Sequence, residues 1–264
     1  MGDRLRRRRR LVVGFVTWTL GWMIACYVDW LAKGCRWFFP FISDFDLYEP
    51  QDTMFTVGVA ISGGLFCWLA VELASHQAPG LRRFEGPLGA LARGLGWATL
   101  IPAMLAGGGA IIIGFLPWNV YHTEHGVVAL MLFYMGTLWC VVVTVTTLLA
   151  SGWTPDAKRI LAIRGAAAGM TASALALWIH HATIAFAIFD DDFDMSLYLD
   201  RPQDMMAFCT DSAILGRHGD LAAMWEAIMV VAMLGTVTTF LPLFRDSAKM
   251  PRDGVLSDDE DVIE

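Results

Sequence analysis

Charged side chains are scarce in this chain, and their scarcity excludes most soluble architectures. Asp, Glu, Lys and Arg make up 17% of the 264 residues, whereas hydrophobic residues make up 56%. An average soluble domain contains about 25% charged residues. The mean hydropathy of +0.52 agrees with this contrast. The composition is therefore typical of a protein that lies largely within a membrane.

Cysteine and asparagine are also rare. Five cysteines are too few for a small fold held together by disulfides. The single asparagine, Asn119, is followed by Val-Tyr, so the chain has no N-glycosylation sequon. The sequence also lacks a HExxH zinc motif and a nucleophile elbow. These absences remove the most recognisable kinds of catalytic and extracellular module.

Six long apolar stretches dominate the chain. They cover residues 11–31, 53–75, 95–118, 127–150, 160–186 and 221–244. Each is near or above the roughly 20 residues that a membrane-spanning helix requires. Strands of a transmembrane barrel would be about 10 residues long with alternating polarity, which these stretches do not show. The sequence predicts an all-α, polytopic bundle of six transmembrane helices.

Positive charges fall on alternate loops and predict the orientation. Of the 19 Lys and Arg residues, 15 lie on the side of the N-terminus, and the other four are Lys33, Arg36, Arg201 and Arg217. Cytosolic loops carry the excess of Lys and Arg, so both termini are expected in the cytosol. Cys35 and Cys209 then share the non-cytosolic side, where a disulfide between them would persist.

The predicted organisation is one membrane domain between two charged ends. Residues 1–10 form a basic cytosolic N-terminus, 11–244 the six-helix domain, and 245–264 a disordered acidic tail. The arginine run is expected to fix topology and contact anionic lipid, with an ER-retrieval or transit signal as the alternative. The basic residues lie next to the membrane, so no nucleic-acid partner is expected. The membrane stays open among the ER, Golgi, lysosome, plasma membrane and mitochondrial inner membrane.

Polar side chains gather toward the non-cytosolic ends of the helices. They include Asn119, His122, His125, His181 and Glu226. Ionisable groups inside a bilayer are costly, so such a gathering is a site hypothesis by default. The first non-cytosolic loop, from Phe39 to Pro50, carries two prolines and a Ser43-Asp44 pair that can cap a turn. It is expected to act as a lid over the bundle.

Three interpretations of the polar gathering compete. A metal site would use His122 and His125 with Glu226 or His181, although no diagnostic spacing supports it. An acyl-transfer or lipid-processing site would use His125 as base and Glu226 as its orienter. The favoured interpretation is a polar network that binds a lipid head group or a partner, because buried polar groups need partners in lipid. His125 is the first expected partner of Glu226, with His181 and Asn119 next.

The candidate lipid- or partner-binding residues share this non-cytosolic side of the bundle. They are Phe41, Ile42, Ser43, Asp44, Asn119, His125, His181 and Glu226. No catalytic residue, metal or cofactor is assigned from the sequence.

The loop segment resembles a motif of the DRAM/Frag/Sfk family of six-helix membrane proteins. That motif reads Pro-Tyr-Ile-Ser-Asp-x-Gly, followed by Pro-Glu. The matching residues are Pro40, Ile42, Ser43 and Asp44, with Phe41 in place of Tyr. Asp46 replaces the glycine, and Pro50-Gln51 replaces Pro-Glu. The departures mark a distant member.

Two further segments agree with the family pattern in order and depth. At the start of the fourth helix, the pattern His-x-x-x-Ala-Leu-x-x-Phe is matched by His125, Ala129, Leu130 and Phe133. In the last helix the matches are Glu226, Thr239, Phe240 and Phe244, whereas Ala227 replaces a Trp and Leu243 an Asp.

The resemblance implies roles that differ between family members. They include autophagy, phosphoinositide-kinase organisation, membrane-lipid asymmetry and remodelling of GPI-anchored protein lipids, and no catalytic residues are settled for the fold. The first functional hypothesis is therefore a non-enzymatic membrane protein that binds lipid or organises a membrane complex. The alternatives are an enzyme or factor of lipid-anchor remodelling and a structural subunit of a larger membrane assembly.

The orientation can be tested by cysteine-accessibility labelling in intact cells. A cysteine introduced at Asp194 is expected to react with a membrane-impermeant reagent, and one at Ser257 is expected to react only after permeabilisation. The unsubstituted chain gives the background from its own thiols. The reverse labelling pattern would contradict the predicted topology.

Overall fold

Helices account for nearly all of the structure. The computed structural model of the protein describes residues 2–47, 49–82, 84–118, 120–151, 155–187, 209 and 216–244. The helices are α1 (Gly2–Ala32), α2 (Gln51–Leu81), α3 (Gly86–Ala98), α4 (Leu100–Ile113), α5 (His122–Ser151), α6 (Pro155–Ala187) and α7 (Gly216–Thr238). Two short 3₁₀ helices, Ile42–Asp46 and Pro242–Phe244, complete the described elements. No strand occurs among the described residues.

Six helical segments are long and apolar enough to cross a bilayer, as the sequence predicts. Helices α3 and α4 together form the third of them, Gly86–Ile113. The prediction of an all-α, six-helix membrane protein is confirmed. We call the end where α1 begins the arginine end, and the opposite end, which holds the Ile42–Asp46 turn, the loop end.

Two boundaries differ from the sequence prediction. Helix α1 already begins at Gly2, so the basic residues before position 11 form its first turns instead of a separate segment. The third span covers 86–113 instead of 95–118. Its start is set by Gly86, at φ +62°, and by Pro87 in the first turn of α3, where proline needs no hydrogen-bond acceptor. The predicted tail, 245–264, lies outside the described residues.

The third span is interrupted once, at Thr99. Pro102 has no backbone N–H to offer the carbonyl of Ala98, four residues earlier, so the helical ladder loses a bond there. At the same interruption, the hydroxyl of Thr99 donates to the Gly96 carbonyl at 2.7 Å. The break thus lies about one turn before Pro102, where a proline disrupts a helix.

Close helix approach rests on glycine at two crossings. Gly58 of α2 lies against the indole of Trp22 in α1, and Gly63 lies against the backbone carbonyl of Gly107 in α4. Small residues let backbones approach in a bilayer, where association depends on packing more than on the hydrophobic effect. The α1–α2 and α2–α4 contacts therefore leave no space for a larger side chain at these positions.

The arginine end is held together by side chains that the sequence assigned to lipid contact. Arg7 and Arg8 both form ion pairs with Glu72 of α2, the latter at 3.0 Å. Arg8 also donates to Nδ1 of His76 at 3.0 Å. Glu72, which is buried, thus has two cationic partners from α1. Part of the basic segment serves to pack α1 against α2.

A matched pair of neighbouring glycines tests the α2–α4 crossing. Gly63→Ala would place its Cβ against the Gly107 carbonyl, and overpacking of this kind costs about 1–3 kcal/mol. We expect a clear fall in the melting temperature of the detergent-purified protein. Gly64→Ala meets nothing within 4 Å and removes a helix-breaking glycine, so its melting temperature should stay equal or rise. Equal effects of the two substitutions would contradict the crossing.

Candidate functional site

A short turn at the loop end is capped by two buried carboxyl groups. The side chain of Asp44 accepts the backbone N–H of Phe41 at 2.8 Å. The side chain of Glu226, from α7, accepts the next N–H, that of Ile42, at 3.0 Å. Amides at the start of a helix have no acceptor within it, so these two carboxyls satisfy donors that burial would otherwise leave unpaired.

Burial makes the acidic residues of the turn weak acids. It raises the pKa of Asp44 to about 7, although the Phe41 amide and the charge of Arg36 act in the opposite direction. Burial, together with the neighbouring carboxyl group of Asp52, raises the pKa of Asp46 to about 8. At neutral pH, Asp46 is therefore mostly protonated, and Asp44 is divided between its two forms.

The segment leading into the turn is bonded to α1, to α7 and to Cys209. Cys35 and Cys209, the pair expected from the sequence, form a disulfide with their Cα atoms 4.9 Å apart. The N–H of Arg36 donates to the Cys209 carbonyl at 3.0 Å, and its guanidinium pairs with Asp220 at the start of α7. The indole N–H of Trp30 donates to the Arg36 carbonyl at 3.0 Å. These bonds fix the position of the loop over the bundle.

Beneath the turn lies a central cavity of about 590 Å³. Helices α1, α2, α4, α5, α6 and α7 all contribute to its wall, and most of the lining is apolar. The acidic and histidine side chains that line it are Asp44, His122, His125 and Glu226, and no Lys or Arg among the described residues lines it. The cavity is thus a largely hydrophobic chamber with a polar region at the loop end.

Most of the sequence-predicted site residues meet at this cavity. Those that line it are Phe41, Ile42, Ser43, Asp44, His125 and Glu226. His181 does not; its Nδ1 lies 3.0 Å from Nδ1 of His218, so it links α6 to α7. Asn119 lies outside the described residues.

The expected pairing of Glu226 with His125 is wrong. Nδ1 of His125 lies 2.6 Å from the Leu116 carbonyl oxygen, in the segment that follows α4. That carbonyl lies beyond the end of α4 at Ile113, so no helical N–H is available to donate to it. His125 therefore binds the α4–α5 connection, and Glu226 is left to bind the loop amide.

The geometry gives little support to the metal and acyl-transfer interpretations. Among the described residues, no group of three or more His, Cys, Asp and Glu side chains is arranged to hold a metal ion. His125 and Glu226 line one cavity, yet each is bonded to a backbone group and not to the other. The base–orienter arrangement that general-base catalysis requires is not formed by this pair.

A cluster of polar side chains on the helical walls of the cavity was not predicted from the sequence. Ser62 of α2 accepts the indole N–H of Trp22 at 3.0 Å, and its hydroxyl lies 3.0 Å from that of Thr19. All three residues line the cavity. The indole N–H of Trp178 also lines it and has no hydrogen-bond partner among the described residues. A serine and a threonine within apolar helices were the available signal, because buried hydroxyls in lipid seek partners.

Comparison with known proteins gives one match. The family model described as the Frag1/DRAM/Sfk1/Cwh43P N-terminal domain matches residues 8–242. No curated protein and no solved structure matches the chain. The match covers helices α2 to α7 in full and α1 from residue 8 onward, and it includes the loop turn, His125 and Glu226.

The bond between Glu226 and Ile42 can be tested by hydrogen exchange of the loop. Glu226→Gln keeps a carbonyl acceptor, so the exchange of peptides spanning 39–47 should stay slow. Glu226→Leu leaves a buried N–H unpaired, a loss of about 1–3 kcal/mol, so exchange there should accelerate about tenfold or more. Glu124→Leu, at an exposed position in the first turn of α5, is the control. An unchanged loop in the Glu226→Leu variant would contradict the role assigned to this carboxyl.

Proposed function

The chain belongs to the Frag1/DRAM/Sfk1/Cwh43P family and is an integral multi-pass membrane protein, and we propose that it binds a membrane lipid in its central cavity. The observation that carries the proposal is the division of one chamber into a long apolar wall and a polar region below the loop turn. An amphiphile with an apolar tail and a small polar head has the matching distribution of surface.

The tail region is formed by the deeper part of the cavity. Phe15, Trp139 and Val237 line it toward the arginine end, far along their helices from the Ile42–Asp46 turn. All three side chains are buried and none carries a charge. Hydrocarbon in this region would contact side chains of matching polarity over its whole length.

The polar region favours a head group that is not strongly anionic. Two carboxyls, Asp44 and Glu226, line the chamber and no Lys or Arg among the described residues does, so a phosphate there would find no cationic side chain to pair with. Hydroxyl or amine groups would instead find acceptors in the carboxyls and a donor in Trp178. The proposed ligand is therefore a lipid whose head either is uncharged and bears hydroxyl groups or bears an amine.

The roles implied by the family resemblance would build on lipid binding. A protein that holds a lipid beneath a fixed loop could act in autophagy or in phosphoinositide or lipid homeostasis, or could organise a membrane complex around the loop end. Lipid-anchor remodelling would require His125 or Glu226 to leave its backbone partner, so binding without chemistry has the better support. Both termini are proposed to face the cytosol, with the loop end on the other side.

The proposal can be tested by quantifying lipids that co-purify with the protein in mild detergent. Ala129→Phe projects a ring into the cavity and should reduce retained lipid per protein severalfold, since bound tails lose their space. Val127→Phe, two residues earlier on α5, lies on an exposed surface outside the cavity lining and should retain the wild-type amount. Melting temperatures would show that both variants are folded. Equal amounts of retained lipid in the two variants would then overturn lipid binding in this cavity.

A further inference from the structure

A second apolar space lies on the side of the bundle. It is a groove of about 670 Å³ between α1, the loop and the α6–α7 pair. The loop contributes Phe39, Pro40, Ile42 and Phe45 to its upper part. Facing α1, four of the seven lining residues are alanines, Ala166 and Ala167 on α6 and Ala227 and Ala232 on α7. These alanines are too short to fill the space opposite α1, so the groove remains open.

Only a thin partition separates the groove from the central cavity. Met23 of α1 and Ile42 of the loop turn line both spaces. Ile42 is also the residue whose N–H binds Glu226, so the polar region of the cavity lies directly beside the partition. The two apolar spaces thus meet at one polar position.

We propose that the protein takes a lipid with two hydrocarbon chains, one in the central cavity and one in the lateral groove, with the head between them beside Ile42 and Glu226. This rests on the lipid-binding function proposed above and specifies the class of lipid. A single-chain amphiphile would fill the cavity alone and would leave the groove to the surrounding bilayer.

The nature of the occupant follows from the position of the groove. Its rim carries Ile24, Met170 and Val231, which are 60%, 51% and 58% exposed and belong to membrane-spanning helices. A groove with apolar walls and an apolar rim at this depth excludes water and meets hydrocarbon. Because Met23 and Ile42 line both spaces, a chain in the groove and a chain in the cavity can lie on opposite sides of these two side chains and belong to one molecule.

One residue offers a direct way to close the groove. Ala227 of α7 lines it, and its methyl group leaves space on that wall. An indole at this position would occupy that space, so the substitution Ala227→Trp fills the groove.

The test compares two uncharged lipids with the same glycerol head, dioleoylglycerol and monooleoylglycerol, on the full-length protein in nanodiscs. Wild type should bind the two-chain lipid at least tenfold more tightly. Ala227→Trp should remove most of that preference and leave monooleoylglycerol binding unchanged. Ala172→Trp, at an exposed position of α6 outside both linings, should behave as wild type.

The outcomes separate this inference from the proposed function. Equal binding of the two lipids by wild type, or an unchanged preference in Ala227→Trp, would overturn the two-chain assignment while cavity binding stands. Loss of both lipids in Ala129→Phe, but not in Val127→Phe, supports the cavity itself. If wild type binds neither lipid, both proposals fail for a glycerol head.

A second measurement does not depend on how well the Ala227→Trp variant folds. Dioleoylglycerol with a photoreactive diazirine in each chain should label wild-type protein at two places. Adducts are expected on cavity residues such as Phe133 and Met233 and on groove residues such as Met170. Adducts confined to the cavity peptides would overturn the two-chain assignment.

Discussion

The hydrogen bond from the Ile42 amide to the Glu226 carboxyl joins the helix bundle to the loop above it. In surroundings without water, an unpaired amide costs several kcal/mol, and a buried carboxyl without a partner costs more. Each group therefore requires the other or an equivalent. Once the bond forms, the turn has a fixed height above α7, Asp44 points back to the Phe41 amide, and the cavity gains its polar region. The polar region therefore lies where the backbone amides of the turn need carboxyl acceptors.

The same demand for partners explains how the remaining buried charges are arranged. Glu72 receives two arginines at one end of the bundle, and Asp220 receives Arg36 at the other. Arg164 is fully buried, donates to the hydroxyl and carbonyl of Thr239, and lies 3.7 Å from the ring centroid of Phe240. The charges thus lie toward the two ends of the helices, and the middle of the bundle is left to apolar side chains and hydroxyls. That distribution is what allows a lipid-sized apolar chamber to exist between six helices.

The bundle could be predicted because its signal is long and additive. Twenty apolar residues in a row exclude other structures, and the confirmed family match agrees with the motif around Ser43-Asp44. The limits of the helices were less predictable. The arginines before position 11 were expected to contact anionic lipid, since nothing in their own sequence shows that Glu72 and His76 would lie beside them. Local sequence carries no information about a partner 65 residues away.

The sequence predicted which residues form the site, but it did not predict their hydrogen-bond partners. Six of the eight candidates line the cavity. Four of them belong to the loop segment that was expected to cover the bundle, and His125 and Glu226 could be placed by counting depth along their helices. Depth along a helix does not identify the hydrogen-bond partner of Glu226. It is a backbone amide, which every residue except proline possesses and which no sequence pattern distinguishes. The partner of His125 is likewise a carbonyl, exposed by the way the chain leaves α4 before Pro117.

The double pairing of Glu72 changes how the N-terminal arginines should be understood. Such a run is usually treated as a signal for membrane orientation that has no further role once the helix has been inserted. Here, two of its members pair with the buried carboxylate of Glu72 at the arginine end of α2. A chain shortened before Arg9 would keep its apolar spans but would bury an unbalanced negative charge at the α1–α2 contact. The orientation signal and the mature fold therefore share the same atoms, so neither can be altered without the other.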